Sequence, residues 1–180
     1  MKKFPMLLDC DTGVDDAVAI LLTKHLQTLE LVAVTTVAGN VELEHTTENT
    51  LRVLEFAGMG HVPVYRGAEK PLFCELYTAH NVHGSNGLNN MELPPAKRQV
   101  EAMPAWDAIY ECAKRYAGEL TIVAIGPLTN LALAIAKYKE LPKLLKRIVL
   151  MGGAASGGNV TPAAEFNIYA DPEAADLVFR

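Results

Sequence analysis

The sequence predicts an α/β fold: an open, mostly parallel sheet covered by helices on both faces. Three observations predict it. Strand-like and helix-like segments alternate along all 180 residues. The strand-like segments are short, continuous apolar runs rich in Val, Ile and Leu, as expected of strands buried on both faces. Polar residues gather just after those runs, where open α/β sheets receive ligands.

Pro5–Asp9 reads as the first strand, and Asp15–Leu26 as a helix entered through a tight turn at Gly13. The stretch from Leu29 to Val37 is apolar and β-branched, hence a buried strand. Leu43, Thr47, Thr50, Leu51, Leu54 and Ala57 recur at helical spacing. A short strand is predicted from Val62 to Tyr65, followed by an irregular segment, 67–100, rich in Gly, Pro and Asn. Trp106, Ile109, Ala113 and Tyr116 mark another helix. Thr121–Ile125 is then a strand, Thr129–Leu141 a helix, and Arg147–Met151 a strand. Asp171 as N-cap and Pro172 in the first turn open a last helix that runs to Arg180. The alternation makes the sheet Rossmann-like. Because no strand follows the last helix, the sheet is expected to be unfinished. The chain then reads as one domain, 1–180, incomplete at its C-terminus.

Half of the residues are apolar, enough for a substantial core. A net charge of -5 and the lack of a basic stripe argue against a nucleic-acid partner. Lys2 and Lys3 precede an apolar run that Asp9 ends too early for a signal peptide or a membrane span. Cys10, Cys74 and Cys112 are odd in number and show no paired spacing, which fits reduced thiols and a cytoplasmic setting.

The chemistry concentrates in Asp9-Cys10-Asp11-Thr12-Gly13-Val14-Asp15-Asp16-Ala17. Four carboxylates around one strand-to-helix turn repel each other and resist burial. A divalent cation with oxygen ligands relieves both costs. Asn40 follows the second strand, Gly126-Pro127-Leu128-Thr129-Asn130 the fourth, and Gly152-Gly153 the fifth, before a loop bearing Asn159, Glu165 and Asn167. In a parallel sheet all of these share one rim. Carboxylates, amides and carbonyls suit a hard cation and a hydroxyl-rich ligand such as a sugar, whereas no Lys or Arg stands in these turns to receive phosphate. Read singly, the pieces have plainer roles. Asp15 and Asp16 complement a helix N-terminus, Asn40 and Asn159 are turn and loop residues, Thr129 is a helix cap, Met151 is core, and His83 is an isolated loop histidine. A haloacid dehalogenase-like phosphatase also opens on a strand ending Asp-x-Asp, but it needs a later lysine missing from these turns. An EF-hand fails because Ile20 stands where its bidentate glutamate belongs.

The Asp9–Ala17 run resembles the N-terminal signature of the inosine-uridine preferring nucleoside hydrolases. Gly126-Pro127-Leu128-Thr129-Asn130, Met151-Gly152-Gly153 and the run from Gly158 to Pro172 are similar to that family too, in the same order. Thr12 stands where proline is commoner, and Asn86 where aspartate is commoner. The resemblance implies hydrolysis of the N-glycosidic bond of ribonucleosides, in purine and pyrimidine salvage, with a bound Ca²⁺. It implies Asp11 as calcium ligand and general base, Asp16 as a second ligand and the carbonyl of Thr129 as a third. Asp15, Asn40, Asn159, Glu165 and Asn167 would grip ribose hydroxyls, Met151 and Phe166 would shape the sugar pocket, and His83 would face the base. The resemblance covers about the first three-fifths of such an enzyme. A further Asp ligand, and in many members a His acid, belong to the remainder. Weak or absent turnover by this chain alone is therefore expected, with an inactive hydrolase-like protein as the alternative. An unpaired sheet edge and an apolar last helix are expected to drive homo-oligomerisation.

Overall fold

A computed structural model describes residues 3–180. Among these residues, five parallel strands form one sheet: β1 (Phe4–Cys10), β2 (Leu29–Thr36), β3 (Val64–Arg66), β4 (Thr121–Ala124) and β5 (Arg147–Leu150). The spatial order is β3-β2-β1-β4-β5. From β1 the chain steps outward to β2 and β3, then returns to the other side of β1 for β4 and β5. The winding direction therefore reverses between β1 and β4, and in open α/β sheets that switch point opens a crevice at the carboxyl ends of the strands.

Period-two alternation along β1 sends neighbouring side chains into two different cores. Leu8 and Cys10 pack with Ile20 of helix α1 (Val14–Thr23) and Leu51 and Leu54 of α2 (Leu43–Phe56). Leu7 faces the opposite layer, with Ile109 of α4 (Ala105–Arg115), Leu131 of α5 (Thr129–Lys137) and Leu141 of α6 (Leu141–Leu144). The first helix, expected to reach Leu26, ends at Thr23. There the Thr23 hydroxyl donates to the Ile20 carbonyl at 2.7 Å, and His25 N and Leu26 N bond back three residues in a tightened turn.

Two short helices depart from the sequence reading. The helix expected over Thr129–Leu141 is broken after Lys137. Tyr138 leaves the helical path, stacks on Tyr110 at 3.8 Å between ring centroids and donates its hydroxyl to Asp107. The chain re-forms a turn as α6. Phe166–Ala170, expected as loop, is a five-residue helix, α7, capped by Glu165. The irregular 67–100 segment holds one more turn, α3 (His80–His83).

The last helix, α8 (Pro172–Phe179), is capped by Asp171 as the sequence predicts. Its apolar face is not open: Ala174 and Ala175 are buried with Leu128 and Ala132. Phe179 alone of its large apolar residues is exposed. The open surfaces lie elsewhere, on Val14, Val18 and Leu22 of α1 and at Val149 beside the free edge of β5. Cys10 and Cys112 are buried free thiols and Cys74 is an exposed one. No described helix is long and apolar enough to cross a membrane.

Asn130, fully buried at the start of α5, pins the carboxyl ends of the strands together. Its Nδ2 donates to Asp9 Oδ1 at 2.8 Å and to the Thr36 carbonyl at 2.9 Å, and its Oδ1 accepts from Ala68 N at 2.9 Å. Asn130→Ala should lower the unfolding free energy by about 2–4 kcal/mol, because buried partners of a deleted group keep their desolvation cost. Urea denaturation checks this; a loss under about 1 kcal/mol would mean that water replaces the amide.

Candidate active site

Asp11 follows β1, at the switch point. Its side chain is inserted between two glycines. A Cβ on Gly39 would come within 2.2 Å of Asp11 Oδ2, and one on Gly126 within 2.7 Å of Oδ1. Only residues without side chains allow so close an approach. Asn40 N donates to Asp11 Oδ2 at 2.7 Å, and Asn40 Nδ2 donates to the Asp11 carbonyl and to Asp16 Oδ2, each at 3.2 Å. Gly13 N, at the mouth of α1, donates to the same Asp16 oxygen at 2.9 Å. Each carboxylate therefore commits one oxygen to neutral donors. The other, Oδ1 in both residues, is buried with no hydrogen-bond partner among the described residues.

Asp11 is 1 % exposed and Asp16 3 %. Burial raises the pKa of both well above the usual carboxylate range, and for Asp11 the neighbouring Asp16 charge raises it further. The four carboxylates of the turn do not converge on one point. Asp9 lies on the α5 side, where Thr35 Oγ1 and Asn130 share its Oδ1, and burial pushes its pKa up to about 6. The Asp15 side chain is 81 % exposed. The buried pair is Asp11 and Asp16.

Two orphaned anionic oxygens fit a hard cation, which would replace the missing donors and offset both charges. Among the described residues, no group of three or more His, Cys, Asp or Glu side chains is placed to hold a metal. A cation here would thus take two carboxylates and complete its shell with neutral oxygens. Thr129 is buried, and its hydroxyl is committed to Asp171 Oδ2 at 2.6 Å. Any ligation from Thr129 must use its carbonyl.

A cavity of about 370 Å³ adjoins this turn, within the size range of small-molecule sites. Asp15, Asn40, His83, Met151, Asn159, Glu165, Phe166 and Asn167 all line it, while Asp11, Asp16 and Thr129 do not. Asn40 links the two groups, since it borders the cavity and bonds both buried carboxylates. The α7 turn organises the far wall. Glu165 accepts from Asn167 N at 3.0 Å and Gly153 N at 2.9 Å, and Asn159 Oδ1 accepts from Phe166 N at 2.8 Å. Asn167 Nδ2 donates to the carbonyls of Ile125 and Met151, so it ties the ends of β4 and β5 together. His83 Nδ1 accepts from Val14 N at 3.3 Å and stands 3.9 Å from Asp15 Oδ1. With Nδ1 as acceptor, Nε2 carries the ring proton. No Lys or Arg lines the cavity.

Tyr77, Asn81 and Val82 line the same cavity and were not singled out by the sequence. They lie in the segment without periodic signal, and only long-range bonds such as Ala79 N to the Asn40 carbonyl (2.9 Å) bring them here. The two departures from the family pattern are accommodated locally. Thr12 Oγ1 pairs with Thr50 Oγ1 at 2.6 Å, and Asn86 Oδ1 accepts from Leu88 N and Asn90 N.

The profile of a family described as inosine-uridine preferring nucleoside hydrolase matches residues 6–180. Among curated relatives, the pyrimidine-specific ribonucleoside hydrolase RihA of Shewanella sp. (strain MR-7) is 48 % identical over 176 residues, 98 % of this chain and 55 % of the relative. RihA of Photobacterium profundum is 46 % identical over 98 % of this chain and 57 % of its own length. Among solved structures, the plant nucleoside hydrolase PpNRh1 superposes with a TM-score of 0.94 at 42 % identity, covering 98 % of this chain and 56 % of that one. A purine-preferring ribonucleoside hydrolase from Gardnerella vaginalis gives 0.92 at 36 % identity, with 98 % and 57 % covered. The chain thus spans a little over half the length of the relatives it matches. It belongs to the inosine-uridine preferring nucleoside hydrolase family.

Proposed function

We propose that these residues form the cation- and sugar-binding part of a ribonucleoside hydrolase that yields ribose and a free base. The observation that carries the reading is the buried Asp11–Asp16 pair, with one orphaned oxygen each, beside a cavity walled by amides and carboxylates and lacking Lys or Arg. The ion proposed is Ca²⁺, held by Asp11, Asp16 and the Thr129 carbonyl. When bound, it supplies positive charge that offsets the carboxylates and acidifies a water.

The remaining roles fall to the chain's own groups. Asp11, whose Oδ1 has no donor, accepts the proton of the attacking water as general base. Asp15 and Asn40 hold the vicinal ribose hydroxyls at the turn. Asn159, Glu165 and Asn167, rigidified by their bonds to the α7 turn, hold the sugar from the other side, with Met151 and Phe166 as apolar walls. As the C1′–N bond breaks, its electrons go to the base and positive charge develops on the ribose ring. The carboxylates around the cavity stabilise that charge. His83 offers its Nε2 proton toward the base side. The named relatives include both pyrimidine-specific and purine-preferring enzymes, so a substrate panel must span both base classes.

Release of free base from inosine, adenosine, uridine and cytidine tests the reading. The expected result is slow release that needs Ca²⁺ and is lost on chelation and in Asp11→Asn. Slow turnover is expected because no third acidic side chain joins the pair among the described residues. Phosphate release from a phosphomonoester with Mg²⁺, and none of base from any nucleoside, would favour the phosphatase reading instead.

Stability against pH gives an independent check. The folded chain holds protons on Asp9, Asp11 and Asp16 that the unfolded chain releases near the ordinary carboxylate pKa of about 4. This contribution is full below that pH and is lost as pH rises through the raised folded values, about 6 for Asp9. In chelator, the melting temperature should fall from about pH 5 to about pH 7.5, and Ca²⁺ should restore it at the upper end. Asp11→Asn should flatten the decline and remove the Ca²⁺ response. A calcium response that survives in Asp11→Asn would place the ion elsewhere.

A further inference from the structure

We propose that Tyr77 is a substrate-contacting specificity residue, whose phenol hydroxyl donates to the 5′-hydroxyl of the ribose. The inference rests on the ribonucleoside reading above and adds a residue to it. Tyr77 lines the cavity, and its side of the wall is that of Phe166, Asn159 and Glu165. Its ring lies 6.2 Å from Phe166, tilted by 44°, and edge-on to Tyr169 at 5.3 Å. Such aromatic pairs fix a ring without using its polar end. The backbone that carries it is also held, by Leu72 N on Asp171 Oδ2 at 3.0 Å and by Ala79 N on the Asn40 carbonyl at 2.9 Å. The residue is nevertheless 48 % exposed, and its hydroxyl forms no hydrogen bond among the described residues. A ring set in place with its one polar atom uncommitted is a preorganised donor.

The polar inventory of that wall indicates what it meets. Both Glu165 oxygens already accept backbone N–H groups, so Glu165 can only accept more. Asn159 Oδ1 is taken by Phe166 N. A sugar hydroxyl placed here donates to Glu165 and needs a donor for its lone pairs. With the vicinal hydroxyls held at the Asp15–Asn40 turn, the hydroxyl left for this wall is the one on the exocyclic carbon. The Tyr77 ring covers that carbon, and its hydroxyl supplies the donor. The chemical class selected is a nucleoside with a free 5′-hydroxyl.

Pseudouridine and 5′-deoxypseudouridine separate this from catalysis, because their C–C glycosidic bond is not open to N-glycosidic hydrolysis. Both are titrated by NMR into the Ca²⁺-loaded 180-residue chain and into Tyr77→Phe and Tyr77→Ala. Tyr77→Phe keeps the ring and should weaken pseudouridine by about threefold to tenfold, the range of one neutral hydrogen bond. It should leave 5′-deoxypseudouridine and the Ca²⁺ response of the melting temperature unchanged, and this coupling is what a merely structural role would not produce. Tyr77→Ala should weaken both ligands, since it removes the ring as well. Equal binding of both ligands by wild type and Tyr77→Phe, or an equal loss for both, would overturn the assignment. If the Ca²⁺-loaded wild type binds neither ligand, the ribonucleoside reading itself fails, and this inference with it.

Discussion

Two like-charged carboxylates buried at the topological switch point are the constraint on which the site depends. Asp11 and Asp16 lie where β1 and β4 diverge, the one place in this sheet where the chain ends open a crevice. Burial alone would protonate them, as their raised pKa values indicate. The fold does not relieve this cost with a lysine or arginine. It supplies neutral donors, Asn40 and Gly13 N, to one oxygen of each and leaves the other bare. That arrangement destabilises the ion-free state near neutral pH and prepares a tight place for a cation. Stability and function pull against each other at this turn, and the two well-packed cores on either side of the sheet carry the difference.

The same logic runs through the surrounding polar groups. Asn130, Asn167 and Asp171 each bind elements far apart in sequence, and each bond lies at or near a strand end that borders the crevice. These amides and carboxylates are buried because the loops they fix would otherwise carry unpaired backbone groups. The rim is therefore rigid by hydrogen bonding, whereas the sheet beneath is rigid by apolar packing. A cation ligand or sugar ligand displaced by an ångström would lose its geometry, so a rigid rim suits the proposed chemistry.

Much of the fold was legible because strand and helix signals are local. The apolar β-branched runs, the Gly13 turn and the Asp171–Pro172 cap each declare themselves within a few residues. The resemblance then drew Asp15, Asn40, His83, Met151, Asn159, Glu165, Phe166 and Asn167 together, and they border one cavity. What escaped depends on distant partners. Tyr138 breaks its helix only because Tyr110 and Asp107 stand opposite. The α7 turn is too short for periodicity and exists through the Glu165 cap. Asp9 looked like a member of the charged turn, but strand alternation carries it to Asn130 on the other layer. Tyr77 lies in a segment without periodic signal, and its place is set by Asn40, Asp171 and Phe166.

The most direct test of the central claim is a crystallographic map of the chain grown with Ca²⁺, with anomalous differences to identify the ion. The account predicts one calcium peak, with Asp11 Oδ1, Asp16 Oδ1 and the Thr129 carbonyl oxygen each about 2.3–2.6 Å away. Saturating Ca²⁺ with no peak at the turn, and with Asp11 and Asp16 sharing a proton or an ordered water instead, would contradict it.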